Sequence, residues 1–273
     1  MQKELKFMKK YISDLSIAVV SCAKFKDTWP IMSSSLNLIK RSGQVKIYWI
    51  TDGEFPFESH DNGIIQIKLE SDKGWDMNLA DGLERIPSEH ILYLQDDYFI
   101  TEEHNMNWLS DVLQVVHEHN LDYYRVFHPV IGKTGKDGKV NYSECSDKYA
   151  LCLRPAVWKK SVLLQLLSSK LNPWEFERGI DKFIKAKSLE LKIGCVPLKY
   201  VNQLHIRTLK HTAIHKGYWT REAYDVYGDV LFKSSGRELE GMFRTLLYAH
   251  KIRIIRPVTK LLLRFLVKHN INI

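Results

Sequence analysis

Short apolar runs alternate with helix-spaced segments along most of the chain. LSIAVVSCAKF reads as a first strand, Leu15 to Cys22, ending in small and polar residues. DTWPIMSSSLNLIKRSG follows as a helix, with Pro30 suited to its first turn and Gly43 to its end. VKIYWITDG is a second strand closing at Asp52-Gly53, and GIIQIKL a third. In KGWDMNLADGLERI, Trp75, Leu79, Leu83 and Ile86 recur at helical spacing, and HILYLQDDYFI returns to strand. NWLSDVLQVVHEHN predicts a helix from Asn107, and DYYRVFH a strand. YALCLRPAVWKKSVLLQLL gives a strand and then a helix. NPWEFERGIDKFIKAKSL turns at Asn172-Pro173 and continues as helix, and IGCVPLKYVN is a further strand. Strands alternating with helices predict an α/β domain on a mostly parallel sheet. The reading divides the chain into one such domain over 1–245 and a basic, amphipathic C-terminal extension over 246–273.

One run breaks the apolar rule. ILYLQDDYFI carries Asp96 and Asp97 directly after a segment that reads as buried strand. A buried carboxylate is costly unless something pairs with it. Ligands of open α/β sheets bind beyond the carboxyl ends of the strands. Ser21, Asp52 and the Asp96-Asp97 pair all fall at such ends, where the competing reading is loop punctuation or a helix cap.

Composition removes several classes of function. The apolar fraction is 45% and the charged fraction 26%, ordinary for a globular protein. The net charge is +8, but Lys251, Arg253, Arg256, Lys260, Arg264 and Lys268 supply six of those positives, leaving +2 elsewhere. Basicity is therefore a property of the tail, and no nucleic acid is expected as a partner. Cys22, Cys145, Cys152 and Cys195 form no CxxC pair, which argues for free thiols in a reducing compartment. The charged N-terminus has no signal-peptide core, and no run reaches the ~18–20 apolar residues of a bilayer span. A cytoplasmic protein is expected, with a peripheral position on the membrane face open to it. GKTGKDGK has Phe127 where a P-loop needs its first glycine, so 131–147 reads as a loop or hairpin.

The segments SCAKFKDTW, IYWITD, KGWDMNLADGLERIPSEHILYLQDDYF, YALCLRPAVWKK, NPWEFE and HKGYW together resemble a family of bacterial GT-A fold glycosyltransferases of surface polysaccharide assembly. The resemblance spans about 14–225. It implies a nucleotide-diphospho-sugar donor on a Rossmann-like sheet and a divalent Mn²⁺ or Mg²⁺ held by an Asp-x-Asp-type triplet. The corresponding triplet is Gln95-Asp96-Asp97, with Gln95 standing where the first acid is usual. It makes Asp97 the candidate metal ligand and sets Asp96 against the sugar or ribose. It places Asp76 and Asn78 near the base and ribose, and Asp52 near the base. His215 and Lys216 fall near the metal or diphosphate.

Bland readings stand beside these. Asp76 is also a first-turn helix acid. Trp75 suits either stacking on the nucleotide or core packing. TDGE suits a tight turn.

An inverting transferase needs a base for the acceptor hydroxyl. Glu177 in NPWEFERGID is the first candidate and Glu175 the second, with Trp174 a platform for a sugar ring. The acids also suit a helix N-terminus. In the tail, a basic stripe faces Val258, Leu261, Leu262, Phe265 and Leu266, which suits an anionic membrane surface and a lipid-linked glycan acceptor, or equally a helix packed on protein. The expected activity is sugar transfer to a hydroxyl of a surface glycan (O-antigen or capsule), with inversion. The alternatives are a nucleotidyltransferase and a non-catalytic glycan- or nucleic-acid-binding module.

Overall fold

The computed structural model describes residues 14–40, 45–54, 63–105, 107–127, 133–145, 150–167, 171–179, 186–234 and 236–241. The expected tail helix over 251–273 lies outside them. The chain forms two compact units that divide after Leu209, whereas the sequence pattern places a boundary at 245.

The first unit is an α/β sheet protein. Its core strands are β1 (Leu15–Val20), β2 (Lys46–Thr51), β3 (Ile64–Lys68) and β4 (His90–Gln95). They continue with β5 (Tyr123–Arg125), β6 (Lys133–Thr134), β7 (Asn141–Ser143), β8 (Ala156–Lys159) and β9 (Ile193–Cys195). Together these strands form one sheet in the order β3-β2-β1-β4-β8-β5-β9-β7-β6. The pairings make it mostly parallel, with β8 and β7 running against the others. Helices α1 (Trp29–Lys40), α2 (Trp75–Glu84), α3 (Trp108–Glu118), α4 (Lys160–Leu166), α5 (Pro173–Arg178) and α6 (Val201–Leu204) flank it.

The apolar runs have a direct cause. All six residues of β1 are buried, as are five of six in both β2 and β4. A central parallel strand covered on both faces needs apolar residues at every position, not at alternate ones. Outermost β3 is covered less completely, with Ile64 and Ile67 buried and Ile65 exposed. Packing is close where α2 crosses β2. A Cβ added to Gly82 would fall 2.5 Å from the Ile50 side chain, so glycine sets the helix–strand distance.

Two segments depart from the pattern reading, and a third, read as a loop or hairpin, takes the hairpin form. The helix from Pro173 stops at Arg178, because Gly179 turns to extended backbone (φ −65°, ψ 131°). A Cβ there would lie 2.7 Å from the Glu175 carbonyl oxygen. The strand in IGCVPLKYVN ends at Cys195. Pro197, with no N–H for a ladder, opens a 3-10 turn over Leu198–Tyr200 that leads into α6. The glycine-rich 133–143 segment is a hairpin, β6–β7, joined to the sheet through β9. His119 pins it from the end of α3, its ring nitrogens 2.7 Å from Tyr142 Oη and 2.9 Å from Asp137 Oδ2.

In the second unit, β10 (Ile214–His215) and β11 (Tyr218–Trp219) form a hairpin, followed by α7 (Arg221–Ser234), which kinks at Gly228. Its turn residues Lys216 and Gly217 both have positive φ, 49° and 87°, as a two-residue hairpin turn demands. Among the described residues no helix is long and apolar enough to cross a membrane.

Candidate active site

The strand order places β1 between β2 and β4, so the connection leaving β1 runs to one side, to β2, and the one leaving β4 to the other, to β5. The crevice above such a switch point is the usual ligand position in this architecture. Its floor is set by register. Val20 pairs with Gln95, so the next residues, Ser21 and Asp96, come out side by side. The Ser21 hydroxyl donates to Asp96 Oδ2 and accepts from Trp29 Nε1 at 2.6 Å. The Ser21 N–H bonds to the Ile50 carbonyl at 3.0 Å, tying in the end of β2. Asp52 Oδ1 accepts the Ala23 N–H at 2.7 Å, fastening the β2 end to the turn after β1.

The two acids of LQDDYF meet different environments. Asp96 is buried, and burial pushes its carboxyl up to about 7, against hydrogen bonds from Ser21 and Thr28 that favour the ionised form. Asp97 stays partly exposed at the crevice. Mg²⁺ and Mn²⁺ are commonly held by one or two protein carboxylates with substrate phosphates completing the shell. The donor set therefore fits a divalent ion on Asp97, with Asp96 held as part of the floor.

Glu177 comes to the same place from α5. Its Oε1 accepts the Leu153 N–H at 2.8 Å, which fixes the carboxylate. Its charge reaches Tyr93 and Tyr98, the phenols that also sense Asp96 and Asp97 respectively. Tyr98 is raised well above the usual phenol range by burial first, then by Asp97, while Arg154 pulls the other way. The charges of Asp97, Arg154 and Glu177 thus all act on one buried ring. Glu175 is turned back instead. Its Oε2 accepts the Asn172 N–H at 2.8 Å and its own N–H bonds to Asn172 Oδ1 at 3.0 Å, a capping box that starts α5. Trp174 is 67% exposed, with the Arg178 guanidinium 5.7 Å from its ring centre.

The residues opening α2 hold the frame. Asp76 is buried, and its two oxygens accept the Leu171 N–H at 2.8 Å and the Met77 N–H at 2.9 Å. It clasps α2 to the segment that enters α5. Asn78 closes the loop before α2, accepting from Lys73 N–H and donating to Asp72 at 2.8 Å. Trp75 packs on buried Phe176, ring centres 5.4 Å apart. In the second unit, His215 Nδ1 lies 2.9 Å from Glu240 Oε1, and Lys216 is exposed on the hairpin turn.

Arg154, Phe127 and His205 are additions that sequence reasoning missed. The Arg154 guanidinium stands 5.4 Å from the Phe127 ring centre, and His205 stacks on that ring at 5.6 Å. The only sequence cue was a basic residue just before the β8 segment.

No known family model and no curated protein matches the chain. Solved structures similar to it include Staphylococcus aureus TarS 1–349, at 13% identity and TM-score 0.47, over 67% of this chain and 57% of that one. The same TarS fragment in complex with UDP-GlcNAc matches at 14% identity and TM-score 0.41, over 55% and 46%. A nucleotidyl transferase from Methanothermobacter thermautotroptrophicus matches at 11% identity and TM-score 0.46, over 81% and 99%. This chain spans little more than half of the TarS fragment. Likenesses this distant assign no activity to it.

Proposed function

We propose that this chain is a GT-A-type glycosyltransferase that moves a sugar from a nucleotide-diphospho-sugar to a hydroxyl of a glycan acceptor. The observation that supports the reading is the pair Ser21 and Asp96 at the β1/β4 switch point, followed by Asp97, with the charges of Asp97, Arg154 and Glu177 all acting on Tyr98. Ser21 and Asp52 shape the crevice floor on the nucleotide side. Asp97 would hold Mg²⁺ or Mn²⁺, and that ion supplies neutralisation of the diphosphate that leaves. Arg154 adds a fixed positive charge beside it. Glu177, oriented by the Leu153 N–H, takes the proton of the acceptor hydroxyl as it attacks the anomeric carbon, with inversion. Trp174 offers its exposed face to the acceptor sugar. Asp76, Asn78 and Trp75 position this site through α2 and α5. His215 and Lys216 lie in the second unit and carry no part of this reading, and the tail 246–273 belongs in it to a lipid-linked acceptor of surface polysaccharide at an anionic membrane.

The nucleotidyltransferase reading would ask for a glycine-rich phosphate loop after β1, where the chain has SCAKFKDTW. A thermal-shift panel of UDP, GDP, TDP and CMP with and without Mn²⁺ tests the proposal. One nucleotide at about 100-fold over its Kd should add roughly 2.7 kcal/mol, or about 5–10 °C. Asp97→Ala should lose the Mn²⁺-dependent part. Silence across the whole panel would sink the reading.

A further inference from the structure

At the opposite end of β4 from Asp96 and Asp97, three elements bring together groups that no part of the proposed transfer uses. Asp14 precedes β1, His90 opens β4, and His117 lies in the last turn of α3. One ligand atom from each lies within 4.8 Å of the others. Asp14 Oδ2 is 3.1 Å from His90 Nδ1 and 4.0 Å from His117 Nε2. The imidazole rings meet edge to face with centres 4.8 Å apart.

We infer that Asp14, His90 and His117 form a binding site for a divalent transition metal of the Zn²⁺ class. Tetrahedral zinc with bonds of ~2.0–2.1 Å sets its ligand atoms about 3.3 Å apart. The distances observed bracket that edge, and small side-chain rotations bring all three to it. Two imidazoles and one carboxylate are ligands that suit Zn²⁺ and Co²⁺ and not Mg²⁺ or Ca²⁺.

The surroundings are those of a ligand set. Asp14 Oδ1 accepts the Glu89 N–H at 3.2 Å, which turns Oδ2 towards the imidazoles. The Asp14 carbonyl accepts the His90 N–H at 3.0 Å, locking the two backbones together. A ligating carboxylate held by its own hydrogen bond is a recurrent support of metal centres. The His90 side chain is only 6% exposed, while those of Asp14 and His117 are 32% and 29% exposed. The site therefore has one buried ligand and two partly exposed ones. The ion fastens the starts of β1 and β4 to the end of α3. Along β4, six residues at about 3.3 Å each put it some 20 Å from Asp97, so it is a separate site from the one proposed for the donor.

Co²⁺ titration of the chelator-treated full chain tests this directly. The wild type should show the intense visible bands of four- or five-coordinate Co²⁺, displaced by Zn²⁺. The bands should persist in Asp97→Asn, which removes the other candidate metal ligand. They should vanish in His117→Ala and in the milder His117→Gln, with Zn²⁺ affinity down by more than about 100-fold, beyond what loss of a supporting group alone costs. Circular dichroism shows which variants keep the fold, and His117→Gln serves if the alanine variant does not. A folded wild type without intense bands would leave Asp14 and His90 as a hydrogen-bonded pair only. Bands that survive both His117 substitutions, or depend on Asp97, would equally overturn the assignment.

Discussion

His104 shows how one buried ring makes stability depend on pH. Its Nε2 accepts the Arg207 N–H at 3.1 Å and its ring lies 4.4 Å from that of Trp108. Burial, helped by the Arg207 charge, holds its pKa down at about 4 against the usual 6.5. The folded protein therefore resists protonating a ring that the unfolded chain protonates readily. Stability from this group is complete above pH ~6.5 and is lost as pH falls towards 4, by up to about 3 kcal/mol. Asp96 acts with the opposite sign, since its raised folded pKa favours the folded state at low pH. The variant comparison isolates the histidine. Urea midpoints measured from pH 7 to pH 4 should fall more steeply for wild type than for His104→Gln, and parallel curves would exclude this origin. At the same scale, the sequence distinguished the paired acids of the chain only by position. Surroundings separate them: Glu175 caps a helix while Glu177 holds the Leu153 N–H and acts on Tyr93 and Tyr98, and Asp96 is buried while Asp97 is half-buried.

Among the elements, α2 and β2 fit through a missing side chain. Gly82→Ala gains up to ~1 kcal/mol of helix propensity. It also drives a methyl group to 2.5 Å from Ile50, which is fully buried, and overpacking of that kind costs about 1–3 kcal/mol. Net destabilisation is expected. Ile50→Ala in the same chain should cost less than it does alone, a coupling that a double-mutant cycle in urea reads out. Additive effects would show that the two do not press on each other. Elements with strong apolar runs, β1, β2 and β4, were legible in the sequence because burial on both faces leaves its mark at every position. The reversed direction of β8 was not, because apolar pattern is the same for either polarity. The early stop of α5 was hidden as well, since Gly179 ends it by shape and the apolar spacing runs on beyond.

At the scale of the molecule, what the sequence withheld is what tertiary structure alone brings together. Arg154 and Glu177 reach Tyr98 from separate elements, and Asp14 and His117 lie 103 positions apart. No local window contains such groupings. The mostly parallel sheet, by contrast, follows from the alternation of strands and helices, while the strand order that places the crevice comes from the structure.

The sheet's outer margins carry a last consequence, for life at high concentration. An unpaired strand margin invites another chain to add to the ladder. On one side the described sheet ends in β6, two exposed residues long, with Lys133 at its start. On the other it ends in β3, which exposes Ile65 but closes with Lys68, paired to Glu54 at 2.9 Å. That lysine is worth little to the folded monomer, as exposed ion pairs generally are. Its value is as a gatekeeper against self-association. Lys68→Ile should leave the urea midpoint almost unchanged yet make light scattering rise with protein concentration, and a variant that stays monomeric would show that β3 is guarded by something else.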